Sequence, residues 1–241
     1  MKDYTLSFSS IKELAKSPAH FLAYKNKEKK ESPAMRFGTA VHCAVLEPER
    51  FKDEYKNTTL RKGTKAYTAL SEENPGVKFL NSSDWEAVKR IRENIWKNEL
   101  CQSLIDNAEK VEQHVKGEIA GVKFQGFVDV VSQHYLIDLK TTSNSSKSEF
   151  ERSAYNFKYY LQAAIYRELT GIEDFWIIAV ENVPPYNVTP YIIPTYYLEK
   201  GYEELMRLIK DYKKWDGKTG SYLYKGAEDF YKLDAPKWAK Y

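Results

Sequence analysis

The sequence predicts an α/β (α+β) protein: a mixed central sheet carrying a helical N-terminal elaboration. Three observations predict it. Apolar residues recur at helical spacing through about residues 1–109. From about Lys110 three strand-like runs follow, joined by tight turns. Beyond Thr141, helical and strand-like segments alternate. The 241 residues are read as a single domain, with a helical part at 1–109, a sheet core at 110–197 and a helix and tail at 198–241.

The elements follow in order. Ser10 and Glu13 have the spacing of a capping box before Leu14. Pro18 suits the first turn of a second short helix carrying Phe21 and Leu22. Ser32-Pro33 opens a helix through about Leu46, with Ala34, Phe37, Val41 and Val45 along one face, and Pro48 ends it. Lys62-Gly63 and Asn74-Pro75-Gly76 mark loops. Ser83 caps a helix through Trp96 whose Trp85, Val88, Ile91 and Ile95 share a face. Val111 to Glu118, Val122 to Val131 and Tyr135 to Lys140 read as strands. Their connections, Ala120-Gly121 and Ser132-Gln133-His134, are short enough for antiparallel neighbours. After a Ser/Asn-rich loop, helices run to about Leu169, and Gly171 suits a C-cap. Phe175 to Val180 is a buried strand, and Val188 to Tyr197, with Pro190 and Pro194, an edge strand. Leu198 to Trp215 is a final helix before a Lys- and Tyr-rich tail.

Composition excludes several classes. With 42% hydrophobic and 29% charged residues the chain is neither disordered nor membrane-embedded. No apolar run approaches the ~20 residues that cross a bilayer, and the N-terminus lacks a signal-peptide core. A cytoplasmic protein is expected. Cys43 and Cys101 are the only cysteines, too few for an iron–sulfur cluster within one chain. No Gly-x-x-x-x-Gly-Lys loop is present, so no ATP site is expected. A net charge of +3 means that nucleic-acid binding would need clustered cations. Lys25 to Lys30 and Arg61 to Lys65 are candidate clusters, or plain solvated surface. The 19 tyrosines fit a core, an interface or base stacking.

Chemistry concentrates in Gly126-Phe127-Val128-Asp129 and Ile137-Asp138-Leu139-Lys140-Thr141-Thr142. Asp138 and Lys140 are two apart on a strand and share a face. The tight turn returns Asp129 beside Asp138. Two adjacent carboxylates repel unless they share a proton or bind a cation. Hard oxygen donors suit Mg²⁺ or Mn²⁺, and a neighbouring ammonium can orient water or steady phosphoryl charge. Asp-x-Lys alone would be an ordinary ion pair. Its apolar neighbours Ile137 and Leu139 make the strand at least half buried, and Asp129, flanked by Val128, Val130 and Val131, sits in an awkward place for an unpaired charge.

These residues resemble the core of the PD-(D/E)xK nuclease superfamily, with Val128 in place of the proline. Three further segments resemble its RecB-like branch. They are Ser7-Phe8-Ser9-Ser10-Ile11 with Ser17-Pro18-Ala19-His20-Phe21, Arg36-Phe37-Gly38-Thr39-Ala40-Val41-His42, and Tyr159 to Tyr166. Their order and spacing are most similar to the exodeoxyribonuclease VIII (RecE) nuclease domains and their phage relatives, from about Thr5 to Arg167. The resemblance implies a restriction-endonuclease-like fold. It also implies that Asp129, Asp138, His42 and the Leu139 carbonyl hold Mg²⁺, which Mn²⁺ can replace, and that Lys140 is catalytic. Gln162 and Tyr166 would face the active site and the DNA. Glu112 resembles a further acid position, for which Glu118 competes. The arginine fork of Arg36 suits a terminal 5′-phosphate.

The implied function is a Mg²⁺-dependent exonuclease digesting linear double-stranded DNA, 5′ to 3′ by resemblance. A ring-shaped homotetramer and a single-strand annealing recombination protein are the implied partners. Two other readings stand beside it: an endonuclease with the same chemistry, and a nucleic-acid-binding module without catalysis.

Overall fold

The computed structural model describes residues 4–28, 31–215 and 217. Serine caps open the helical part. Ser7, Ser17 and Ser32 accept from the N–H groups of Ser10, His20 and Met35 and start α1 (Phe8–Leu14), α2 (Pro18–Asn26) and α3 (Pro33–Leu46). The capping box therefore lies three residues earlier than expected. Ser7 is the cap, and Ser10 accepts from the Ser7 N–H in return. Pro48 both follows α3 and opens α4 (Pro48–Glu54), since a first helical position needs no N–H donor.

Next come β1 (Tyr55–Thr58), α5 (Lys65–Glu73), β2 (Lys78–Asn81), α6 (Ser82–Lys97) and α7 (Glu99–Asp106). The cap of α6 is Asn81, not Ser83. The parallel pair β1–β2 has no signature in the sequence, because four residues are too few to show alternation.

The core sheet comprises β3 (Lys110–Ile119), β4 (Val122–Val131), β5 (Tyr135–Thr142), β6 (Asp174–Glu181) and β7 (Val188–Ile192), in the order β3-β4-β5-β6-β7. Only β5–β6 is parallel, so its crossover needs helices: α8 (Lys147–Phe157) and α9 (Tyr159–Thr170). At the β3–β4 turn, Ala120 and Gly121 have φ of 47° and 71°, the signs a type I′ turn requires. The last strand stops at Ile192 rather than Tyr197, and Pro194 becomes the N-cap of α10 (Thr195–Lys214). As expected β7 lies on an edge, where Pro190 can lack a donor.

Three layers result. One sheet face buries Leu136, Phe175 and Ile177 under α1, α2, α9 and α10. The other buries Ile137, Leu139, Ile178 and Val180 under α3, α6 and α7. The helix pair α9–α10 crosses very closely at Gly201, where an added Cβ would lie 2.2 Å from the Tyr160 carbonyl oxygen. Among the described residues no helix is long and apolar enough to cross a membrane.

Two irregularities shape the middle of the sheet. The β3–β4 ladder pairs Val111 with Val130 and Gln113 with Val128, but skips Glu112 and Asp129. Glu112 has φ 46°, a strained left-handed backbone for a non-glycine residue. Across this point both strands change sides. Val115 and Val128 pack into the first core, Val111 and Val130 into the second, although Val111 and Val115, like Val128 and Val130, would share a face in a regular strand. Then β4 and β5 part company. Their register holds only Val130↔Ile137 and Val131↔Leu136. Further along β4, Leu6 takes the edge that β5 leaves, through Leu6 N–H to the Lys123 carbonyl and Gln125 N–H to the Leu6 carbonyl.

Candidate active site

The opening between β4 and β5 is filled by a side chain. Asp129 Oδ2 accepts the Leu139 N–H at 2.6 Å, a donor that a neighbouring strand would otherwise use. The N–H and C=O of a strand residue point to the same side, so the Leu139 carbonyl also faces this opening. Here Asp129 meets two groups from other elements. His42 Nδ1 of α3 lies 3.5 Å from Asp129 Oδ2 and 3.5 Å from Glu112 Oε1. One donor atom from each of His42, Glu112 and Asp129 lies within 4.8 Å of the others. The left-handed turn at Glu112 is what aims its carboxylate here.

Asp138 and Lys140 project together from β5, with Lys140 Nζ 2.5 Å from Asp138 Oδ2. That oxygen is buried and has no well-directed hydrogen bond. The other oxygen accepts from Gln162 Nε2 of α9 at 2.6 Å. The Lys140 ammonium also stands over the Tyr159 ring, 4.9 Å from its centroid.

Burial penalises every charge here, so the neighbours decide protonation. Burial works against the Asp129 anion, but His42, Lys140 and the Leu139 N–H outweigh it and hold the carboxyl below its usual range. Burial and the charge of Asp129 push Asp138 up, against the pull of Lys140. Burial alone would depress His42, yet Asp129 and Glu112 raise it to about 10. Burial likewise disfavours the Lys140 cation, and the two aspartates more than compensate. Lys12 of α1, which no motif singles out, stands over the Phe8 ring and within the field of Lys140. Burial lowers its pKa, with Lys16 and Lys140 adding to this and Glu13 opposing.

The structure thus brings together His42, Glu112, Asp129, Asp138, the Leu139 backbone, Lys140 and Gln162. It does not bring Glu118, which pairs with Lys123 near the far end of the hairpin. Six residues of strand separate it from Glu112, about 20 Å at ~3.3 Å per residue. Tyr166 is buried against β4, hydrogen-bonded to Gln162 and within the field of Asp138, Asp129 and Lys140, and its ring explains the glycine of the Gly-x-x-Asp segment. A Cβ on Gly126 would lie 2.5 Å from Tyr166 Cε1. Gly126→Ala must therefore displace that ring and the strand leading to Asp129. Such misplacement is expected to lower kcat by about 10²-fold, with a stability loss of about 1–3 kcal/mol. Steady-state kinetics and thermal unfolding of the variant check both figures.

Arg36 lies outside this cluster, one to two turns before His42, and donates to the Glu31 carbonyl. With Arg61, Lys62, Tyr67 and Phe79 it lines a cleft of about 610 Å³ between α3 and the β1–β2 pair. The other cationic run is less available. Lys25 donates to the Thr5 carbonyl and lies over the Tyr4 and Phe21 rings, while Lys29 and Lys30 fall outside the described residues.

Comparison with solved structures gives a Eubacterium rectale protein described as an exonuclease, at 16% identity and a TM-score of 0.59, over 86% of this chain and 80% of that one. A phage-related exonuclease from Haemophilus somnus aligns at 14% identity and a TM-score of 0.41, over 87% and 93% of the two chains. An alkaline exonuclease from Laribacter hongkongensis aligns at 11% and 0.35, over 87% and 88%. The first of these supports the fold. No curated protein matches the sequence. Residues 7–221 match the family described as a PDDEXK-like domain of unknown function, DUF3799. That match spans both the helical part and the sheet core, and the mixed five-stranded sheet agrees with it. The chain belongs to this PDDEXK-like family.

Proposed function

We propose that the chain is a divalent-metal-dependent exodeoxyribonuclease that hydrolyses linear double-stranded DNA from its 5′ end. One observation carries the reading: the convergence of His42, Glu112 and Asp129 beside the Asp138–Lys140 pair. The donor set fits a divalent cation. Once a cation displaces the proton that Asp129 and Glu112 hold on His42, the set would offer one imidazole and two carboxylates, with the Leu139 carbonyl turned the same way and one Asp138 oxygen engaged only by the Lys140 ammonium. Mg²⁺ is the natural occupant, and Mn²⁺ an acceptable one. Bound there, such a cation neutralises phosphate charge and acidifies water.

The chain's own groups supply the rest. Lys140 remains an ammonium between two aspartates, so its role is to donate to the attacking water or to the phosphoryl oxygens. Gln162 fixes Asp138 by occupying one of its oxygens. Tyr166 holds the strand that carries Asp129. The cationic cleft at Arg36 suits the entering strand, being about 9 Å along α3 from His42 at ~1.5 Å per residue. Arg36 is the candidate grip on a terminal 5′-phosphate. Arg36→Ala should reduce the preference for 5′-phosphate over 5′-hydroxyl ends at least about tenfold, the equivalent of one charge-assisted hydrogen bond. An unchanged ratio in a competition assay would remove Arg36 from that role.

The resemblance to RecE nuclease domains supports 5′-to-3′ polarity, a ring tetramer and work beside a single-strand annealing protein in recombination. It also supports a cytoplasmic site of action. The test is cleavage of linear duplex and of covalently closed circles, with Mg²⁺ and with EDTA, by wild type and Asp129→Asn. Mononucleotides released from linear DNA alone, only with Mg²⁺ and only by wild type, uphold the reading. Cut circles would make it an endonuclease. DNA binding with no cleavage under any divalent metal would make it a binding module.

A further inference from the structure

We propose that Phe157 and Tyr159 form a stacking platform for nucleobases of the DNA strand being cleaved. The proposal rests on the nuclease reading and adds a base-binding subsite to it. Its origin is the break between α8 and α9. Lys158 has φ 60°, a left-handed conformation that ends one helix and starts the next. Residues two apart do not face each other on a continuous helix. Across this break they do. The Phe157 and Tyr159 rings stack at 5.9 Å with an interplanar angle of 19°.

The stack leads from the active site to solvent. Its inner member, Tyr159, lies under the Lys140 ammonium and is backed by Phe150 at 6.1 Å. Its outer member, Phe157, is 53% exposed and makes no other ring contact among the described residues. An apolar ring with a free face, one ring removed from a phosphate-directed ammonium, matches a nucleotide: a flat base joined to an anion. A stacked strand advances about 3.4 Å per base, which puts the platform within about three nucleotides of the phosphate at Lys140. Elsewhere on α8, Tyr155 is 53% exposed, stacks on Tyr160 and carries Lys200 5.0 Å above its ring. Aromatics interleaved with cations are the usual means of holding a single strand without reading its sequence. Lys158 itself is committed to Glu204 at 2.7 Å, so it shapes the break rather than meeting DNA.

The experiment uses the whole chain and a 5′-phosphorylated oligonucleotide with 2-aminopurine at its first three positions. Binding is measured in EDTA, where no cleavage is expected, for wild type, Phe157→Ala and Phe157→Trp. The expected result is quenched 2-aminopurine fluorescence with wild type and Phe157→Trp. With Phe157→Ala the quench is lost and affinity falls about 5- to 150-fold. Cleavage in Mg²⁺ should then show a raised KM with little change in kcat. If wild type cleaves this DNA and Phe157→Ala matches its quench, affinity and KM, the platform is wrong and the nuclease reading stands. If wild type neither binds nor cleaves, both fall. If Phe157→Ala instead alters only the elution volume on gel filtration, the ring serves a contact between copies of the chain, which also overturns the proposal.

Discussion

Lys140→Met is expected to lower the single-turnover rate of DNA cleavage by at least about 10²–10³-fold, the usual effect of removing one donor aimed at developing charge. The fold should survive. Removing one partner of a buried ion pair commonly costs about 3–5 kcal/mol, because the other charge is stranded. Here the stranded group is Asp138, whose pKa burial already pushes up and whose other oxygen keeps its bond from Gln162. It can take up a proton and become neutral, which limits the cost. The limit has a pH signature. An aspartate with a raised folded pKa binds its proton more tightly folded than unfolded, so its contribution to stability is greatest at low pH and falls as pH rises. The variant should therefore lose more stability relative to wild type as pH increases from the acid side, in EDTA, by thermal unfolding. A rate within tenfold of wild type in stopped-flow cleavage would show that the ammonium is not the catalytic cation.

This ion pair was also the most legible part of the site. Period-2 alternation is enough to put Asp138 and Lys140 on one face, and the apolar residues between and around them mark the strand as buried. Asp129 followed from the short turn. His42 and Gln162 did not follow from periodicity. A helix histidine and a helix glutamine are ordinary until four motifs occur in one order. The choice between Glu112 and Glu118 was not legible in the strand pattern, and only the resemblance put Glu112 first. Both are strand carboxylates, and what separates them is the positive φ at Glu112, where the hairpin changes faces. Local sequence does not encode a conformation that tertiary packing imposes. For the same reason Lys25 looked like a free cation, although the fold spends it on the Thr5 carbonyl. The β1–β2 pair went unseen because its partners are separated by α5 and each is one turn of pattern long. Tyr159 went unseen as a partner of Lys140, because the left-handed Lys158 sets its direction.

Gly201→Ala separates packing from propensity by the sign of its effect. Gly201 lies inside α10, where alanine is the better helix former by about 0.8–1 kcal/mol. Propensity alone therefore predicts a more stable protein. The structure predicts the reverse. The new methyl would meet the Tyr160 carbonyl oxygen at 2.2 Å and its carbonyl carbon at 2.8 Å, and backbone cannot swing aside as a side chain can. The helices must separate, opening the contact that buries Leu205, Leu208 and Leu161. Overpacking of this kind costs about 3 kcal/mol or more, which is a fall in Tm of about 6–12 °C at ~2–4 °C per kcal/mol for a chain of this size. Tyr160 and Ala164 line the crossing, and Gln162 sits between them on α9. Any outward or tilting movement of α9 is thus transmitted to the bond that Gln162 makes with Asp138. Activity should fall together with stability in Gly201→Ala. In Gly126→Ala, where the obstacle is the Tyr166 ring rather than backbone, activity should fall well ahead of stability. Equal or higher Tm for Gly201→Ala, by calorimetry, would mean that the α9–α10 crossing is looser than described and does not position Gln162.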